Sequence, residues 1–144
     1  MAILQGLDGR KMSKSYGNTI PLFLSEKQLK KHINKIKTNL LEPGQPKDPD
    51  SSAVFQIWQA FATKCEVQAM RDEFANGIAW GEAKRQLFEL VNEQLKEPRE
   101  KYLQLLENPA EVEAVLRQGA DRARQSSSAL IADVRQAVGI RSLG

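Results

Sequence analysis

Apolar residues recur along most of this chain at the spacing of one helical face, interrupted by a few polar, proline- or glycine-rich stretches. The first periodic run opens at Ser25, whose hydroxyl and the Gln28 amide form a capping box, with Leu24 placed to staple onto Leu29. Leu29, Ile33, Ile36 and Leu40 then share one face, and Lys27, Lys30, Lys31, Lys35 and Lys37 occupy the opposite one. Residues 42–50 hold three prolines and a glycine and read as a loop. Beyond it Val54, Phe55, Trp58 and Phe61 form an aromatic-rich stripe through about Ala62, which reads as core and not as a base-stacking platform.

A second capping box, Thr63 with Glu66, opens a short helix that turns Val67, Met70 and Phe74 inward and stops at Gly77, a C′ residue. From about Trp80 a long helix carries Leu87, Val91, Leu95, Tyr102 and Leu105 on one side. Its periodicity continues through Pro98, which predicts a kink and not a stop. Asn108 as N-cap, Pro109 at N1 and Glu111 at N3 start a last helix, ended by Gly139. That helix is predicted to bury Val112, Leu116, Leu130 and Val134. Its small residues Gly119, Ala123 and Ser127 would let a neighbouring helix approach closely.

These elements predict an all-α fold, a bundle of about five helices preceded by a Gly/Lys/Ser-rich loop. The domain division expected is 1–24 for the loop segment and 25–144 for the helical domain. Residues 2–4 and 19–23 are short apolar pieces beside the loop. Either can be a strand remnant, although Pro21 argues against a central strand. Strands and helices do not alternate as a Rossmann sheet requires.

Composition narrows the function classes. The chain has 144 residues, enough for one domain with a core, with 41% hydrophobic and 27% charged residues as in soluble globular proteins. No run of about 18 apolar residues predicts a membrane span, and the start lacks the pattern of a signal peptide. The single cysteine, Cys65, excludes an intramolecular disulfide and fits a reducing cytoplasm. With His32 as the one histidine, it is too little for a cysteine-based zinc site. A net charge of +3 leaves nucleic-acid affinity to local patches such as the lysine face, which is otherwise a solvated surface.

The candidate chemistry lies in residues 6–18. Three glycines fall within this stretch, together with Arg10, Lys11, Lys14, Ser13 and Ser15. Glycines let backbone N–H groups approach a ligand closely, and lysine ammoniums serve phosphate oxygens as point charges. A basic loop able to close over a polyphosphate and a merely solvated basic loop both fit that composition.

The order of residues favours the first. Lys11-Met12-Ser13-Lys14-Ser15 reads KMSKS, between Gly6-Leu7-Asp8-Gly9-Arg10 and Tyr16-Gly17-Asn18-Thr19-Ile20, and so resembles the signature loop of class I aminoacyl-tRNA synthetases. The continuation to Phe23, the helical remainder and the phrase Gly119–Arg124, with Val138 and Gly139 near the end, are similar to the bacterial tryptophanyl-tRNA synthetases. The tyrosyl enzymes resemble the chain less. Tyr16 is a departure, since many relatives carry an acidic residue there.

The resemblance implies activation of tryptophan by ATP, with Mg2+ carried by the nucleotide, and transfer to tRNA(Trp) by a cytoplasmic homodimer. It implies that Lys11 and Lys14 supply catalytic cations to the departing pyrophosphate. Ser13 and Ser15 hold the loop and add hydrogen bonds, and Met12 anchors it by packing. Asp8 and Arg10 are candidates for fixing its open and closed forms. The family's His-x-Gly-His signature and amino-acid pocket are not found in the sequence, so the chain is expected to be a C-terminal fragment, inactive alone. The alternatives are a stand-alone helical tRNA-binding module and a fragment of a tyrosyl-type enzyme.

Overall fold

The computed structural model describes residues 3–140. Five α-helices follow the loop: α1 (Glu26–Asn34), α2 (Ala53–Phe61), α3 (Lys64–Ala75), α4 (Trp80–Glu107) and α5 (Pro109–Ala137). Among the described residues there is no strand beyond a single antiparallel bridge between Gln5 and Lys11. Residues 1–100 form one compact unit and residues 101–144 a second, the division falling inside α4.

Local sequence sets the helix ends. Both predicted capping boxes are formed, Ser25 with Gln28 and Thr63 with Glu66. At the end of α3, Gly77 takes φ +82° and donates to the Phe74 carbonyl, while Ile78 donates to Glu73. Those two bonds are a Schellman closure, and it recurs at Gly139 after α5. Gly77 has a second reason to lack a side chain: a Cβ there would lie 2.4 Å from the Gly44 carbonyl carbon. This contact ties the 42–50 loop to the turn between α3 and α4.

The core of the first unit gathers Leu29 and Ile33 of α1, Val54, Phe55 and Ile57 of α2, Met70 and Phe74 of α3, and Leu87, Phe88 and Val91 of α4. Phe74 packs edge-on against both Phe55 and Trp80, at 5.5 and 5.6 Å between centroids. Burying a side chain of this size contributes roughly 1.5–3 kcal/mol. The aromatic stripe of α2 is thus core, with Trp58 and Phe61 packed partly buried at its edge.

Three sequence expectations are corrected. The α1 face ends early: the helix stops at Asn34, Ile36 is buried beyond it, and Leu40 is 96% exposed in the following segment. Asn108 precedes α5 but its side chain makes no capping bond, and its amide donates back to the Gln104 carbonyl at 3.1 Å. Nor does α5 bury the apolar residues assigned to its core. Val112, Leu116, Leu130 and Val134 are all exposed, and α5 contains no buried residue. Periodicity identifies an apolar stripe but not what covers it. The small series is likewise exposed, and among the described residues nothing lies within 4 Å of a Cβ placed on Gly119. α4 runs as one helix through Pro98.

Candidate functional site

The 6–18 loop begins as a tight hairpin. Gly6 donates to the Arg10 carbonyl at 2.8 Å, and Gly9 donates to Gly6 at 3.1 Å with φ +83°, the left-handed residue such three-residue turns take. The Asp8-Gly9 pair signals this turn in the sequence. The Gln5–Lys11 bridge closes the hairpin, and Met12 donates to the Leu4 carbonyl at 2.9 Å. The tip is tied to the segment that follows α1 by a 2.8 Å bond from the Lys37 N–H to the Leu7 carbonyl. A single 3₁₀ turn, Lys14–Tyr16, follows; Ser13 is its N-cap, accepting from the Ser15 N–H at 3.3 Å, and Gly17 closes it at φ +62°.

Asn18 joins the two arms. It is 3% exposed, and its Oδ1 accepts from the Ser13 N–H at 2.8 Å. Its Nδ2 donates to Asp8 Oδ1 at 2.7 Å and to the Lys11 carbonyl at 3.1 Å. Its own carbonyl accepts from the Leu7 N–H at 2.9 Å. A Cβ on Gly6 would fall 2.5 Å from Asn18, so only glycine admits this approach. No local pattern announces Asn18 as a hub, because its partners lie five, seven, ten and eleven residues away.

Lys11 and Lys14 are both exposed. Among the described residues neither ammonium has an ion-pair or hydrogen-bond partner, so both charges stand free on a braced backbone. Ser13 and Ser15 bond each other through their hydroxyls at 2.8 Å. Met12 is half-buried and faces the other way, lining an apolar cavity of about 90 Å³ with Leu4, Ile20, Ile33, Phe61 and Val91. Arg10 is occupied by Asp8, at 2.7 Å from Nε to Oδ2, and its guanidinium lies over the Tyr16 ring at 4.7 Å. The Asn18 amide, and then Arg10, hold the Asp8 carboxyl at about 2. Tyr16 thus gives the Arg10 cation a ring face.

Outside the loop, Lys27, Lys30, Lys31, Lys35 and Lys37 are exposed as the sequence suggests. Lys84 adds a sixth cation by donating to the Asn34 carbonyl at the end of α1, and burial pulls its pKa down. Lys47 is a residue that sequence reasoning overlooks. It is 3% exposed, and its ammonium donates to the carbonyls of Glu42 and Gln45 at 2.9 Å, which braces the proline-rich loop. Among the described residues no group of three His, Cys, Asp or Glu side chains is placed to hold a metal ion.

Comparison with known proteins places this geometry in context. The chain is 51% identical over 141 residues to the tryptophan–tRNA ligase of Neisseria meningitidis, an alignment covering 98% of this chain and 42% of that protein. It is 52% identical to the tryptophan–tRNA ligase of Pseudomonas aeruginosa, covering 99% of this chain and 32% of the relative. The chain thus spans less than half the length of these relatives. The crystal structure of tryptophanyl-tRNA synthetase from Campylobacter jejuni, complexed with ADP and tryptophan, superposes with a TM-score of 0.90 at 38% identity. That superposition covers 96% of this chain and 44% of the other. A family model, tRNA synthetases class I (W and Y), matches residues 1–96, which take in the KMSKS hairpin and the core of α1–α4. With the signature loop and the helices that brace it inside that match, the chain belongs to the class I tRNA synthetases of the W and Y family.

Proposed function

We propose that this chain works as the KMSKS-loop and helical portion of a tryptophan–tRNA ligase, with residues 1–24 serving activation and residues 25–144 meeting tRNA(Trp). In this reading the tryptophan carboxylate attacks the α-phosphorus of ATP, forming tryptophanyl-adenylate and releasing pyrophosphate. A hydroxyl at the tRNA 3′ end then takes the aminoacyl group from the adenylate, and AMP leaves. Pyrophosphate leaves with growing negative charge, and Lys11 and Lys14 neutralise it. Preorganised cations at a developing charge lower the barrier because they need not reorganise during the reaction. Mg2+ enters with the nucleotide, and the complete enzyme is a cytoplasmic homodimer.

The observation that carries the proposal is the pair of unpaired, exposed lysines on a hairpin fixed at both arms. A solvated loop has no need of a buried asparagine bracing the backbone of its cations. Tryptophan, and not tyrosine, is favoured by the relatives at 51% and 52% identity. ATP–pyrophosphate exchange by the complete enzyme tests the reading. Exchange dependent on tryptophan is the expected result; dependence on tyrosine, or none on either, overturns it.

A further inference from the structure

We infer that Asn18 is a positioning residue for adenylate formation: its carboxamide locks the backbone on which Lys11 and Lys14 are carried. The inference rests on the proposed function, since it concerns the same loop.

The three side-chain bonds of Asn18 fall at three places that decide where the cations stand. Oδ1 takes the Ser13 N–H, at the N-cap of the turn containing Lys14. Nδ2 holds the Lys11 carbonyl and the Asp8 carboxylate together. Only one orientation of the amide satisfies an N–H on one side and two oxygen acceptors on the other. Asp8 in turn holds Arg10, through its backbone N–H at 3.0 Å and its Nε at 2.7 Å. The guanidinium is thereby kept on Asp8 and over Tyr16, leaving Lys11 and Lys14 as the free cations of the motif. Asn18 is buried, so it acts on phosphate only through the backbone it holds.

The donor and acceptor pattern supplies the test, run in the complete ligase below its unfolding transition. Asn18→Ala removes all three bonds and is expected to lower kcat for tryptophan-dependent pyrophosphate exchange about 100-fold, the scale of a small misplacement of catalytic groups. The KM for tryptophan should stay unchanged, with kcat expressed per active site so that a loss of folded enzyme is not counted as a loss of rate. Asn18→Asp keeps the acceptor for Ser13 but faces a carboxylate to Asp8, and is expected to be at least as impaired. Adding Asp8→Asn to Asn18→Asp restores a donor–acceptor pair across the same gap, and part of the lost kcat should return. Parental kcat in Asn18→Ala overturns the inference, as does a double variant no better than Asn18→Asp. If the unmutated enzyme shows no exchange, the proposed function has failed instead. The clamp is then read from hydrogen exchange at the Ser13 amide of the full chain: lost protection in Asn18→Ala supports it, and unchanged protection refutes it.

Discussion

The carboxylate of Asp8 carries the pH dependence of the loop. Its pKa is lowered from 3.8 to about 2, chiefly by the Asn18 amide and then by Arg10. A depressed carboxyl stabilises the folded loop fully above its unfolded value, and that contribution is lost as pH falls through the folded value. The hairpin should therefore keep its arms together down to the window between 3.8 and about 2. Carbon-detected titration of the Asp8 carboxyl is expected to show a midpoint near 2, moving up toward 3.8 in Asn18→Ala. An unmoved midpoint would assign the shift to Arg10. Lys14 tests the proposed charge role itself. Lys14→Ala in the complete enzyme should cost about 2.7–4 kcal/mol of transition-state stabilisation, roughly 100- to 1000-fold in pyrophosphate exchange. Tryptophan affinity should barely change, and near-normal exchange would remove Lys14 from the chemistry. The motif residues were legible because five letters and both flanks spell them; Asn18 was not, because its importance arises only when the chain folds back on itself.

At the scale of elements, caps were the most legible features. Ser25, Thr63 and Gly77 each act within four or five residues, so the sequence contains the whole of each device. What the sequence does not contain is the second body in a contact, as Gly77 and Gly139 illustrate. Both are C′ residues with similar φ, +82° and +77°, and both close Schellman motifs. Among the described residues nothing lies within 4 Å of a Cβ on Gly139, whereas a Cβ on Gly77 would sit 2.4–2.7 Å from backbone atoms of Gly44 and Gln45. Alanine at position 139 should cost about 1–2 kcal/mol, the left-handed penalty alone. Alanine at position 77 should cost distinctly more, because backbone atoms must move and the 2.8 Å bond from Gly44 to the Gly77 carbonyl is strained with them. Denaturant unfolding of the two variants checks this, and equal losses would mean that the Gly44 contact yields without cost. The misassigned stripe of α5 has the same origin. Its period is helical, yet nothing among the described residues buries Leu116 or Leu130.

At the scale of the whole molecule the question is where RNA would be met. A net charge of +3 over 144 residues gives little long-range field, so affinity must come from clusters. The first unit offers Lys27, Lys31, Lys35 and Lys37, exposed on or just beyond α1. Lys30 is drawn over the Phe88 ring at 5.6 Å and is the least free of the set. The second unit offers arginines on α5, but Arg117 faces Glu113 at 3.7 Å and Arg124 faces Asp121 at 3.1 Å, so part of that charge is already answered. The lysines of α1 should therefore contribute more than the α5 arginines to phosphate contact. Binding of tRNA to the full chain is expected to be weak and to fall steeply with salt, because each neutralised phosphate releases counterions. Discrimination among tRNAs should be slight, since phosphate contacts position without reading sequence. Replacing Lys27, Lys31 and Lys35 by Gln should flatten the log–log salt dependence by ~1 for each lysine that meets a phosphate. Replacing Arg117 and Arg124 in the same way should flatten it less for each residue changed. Titrations at several ionic strengths decide the matter: an equal or larger effect per residue from the arginines would move the RNA-facing surface to α5, and no binding at low salt would leave the α1 lysines as a solvated face.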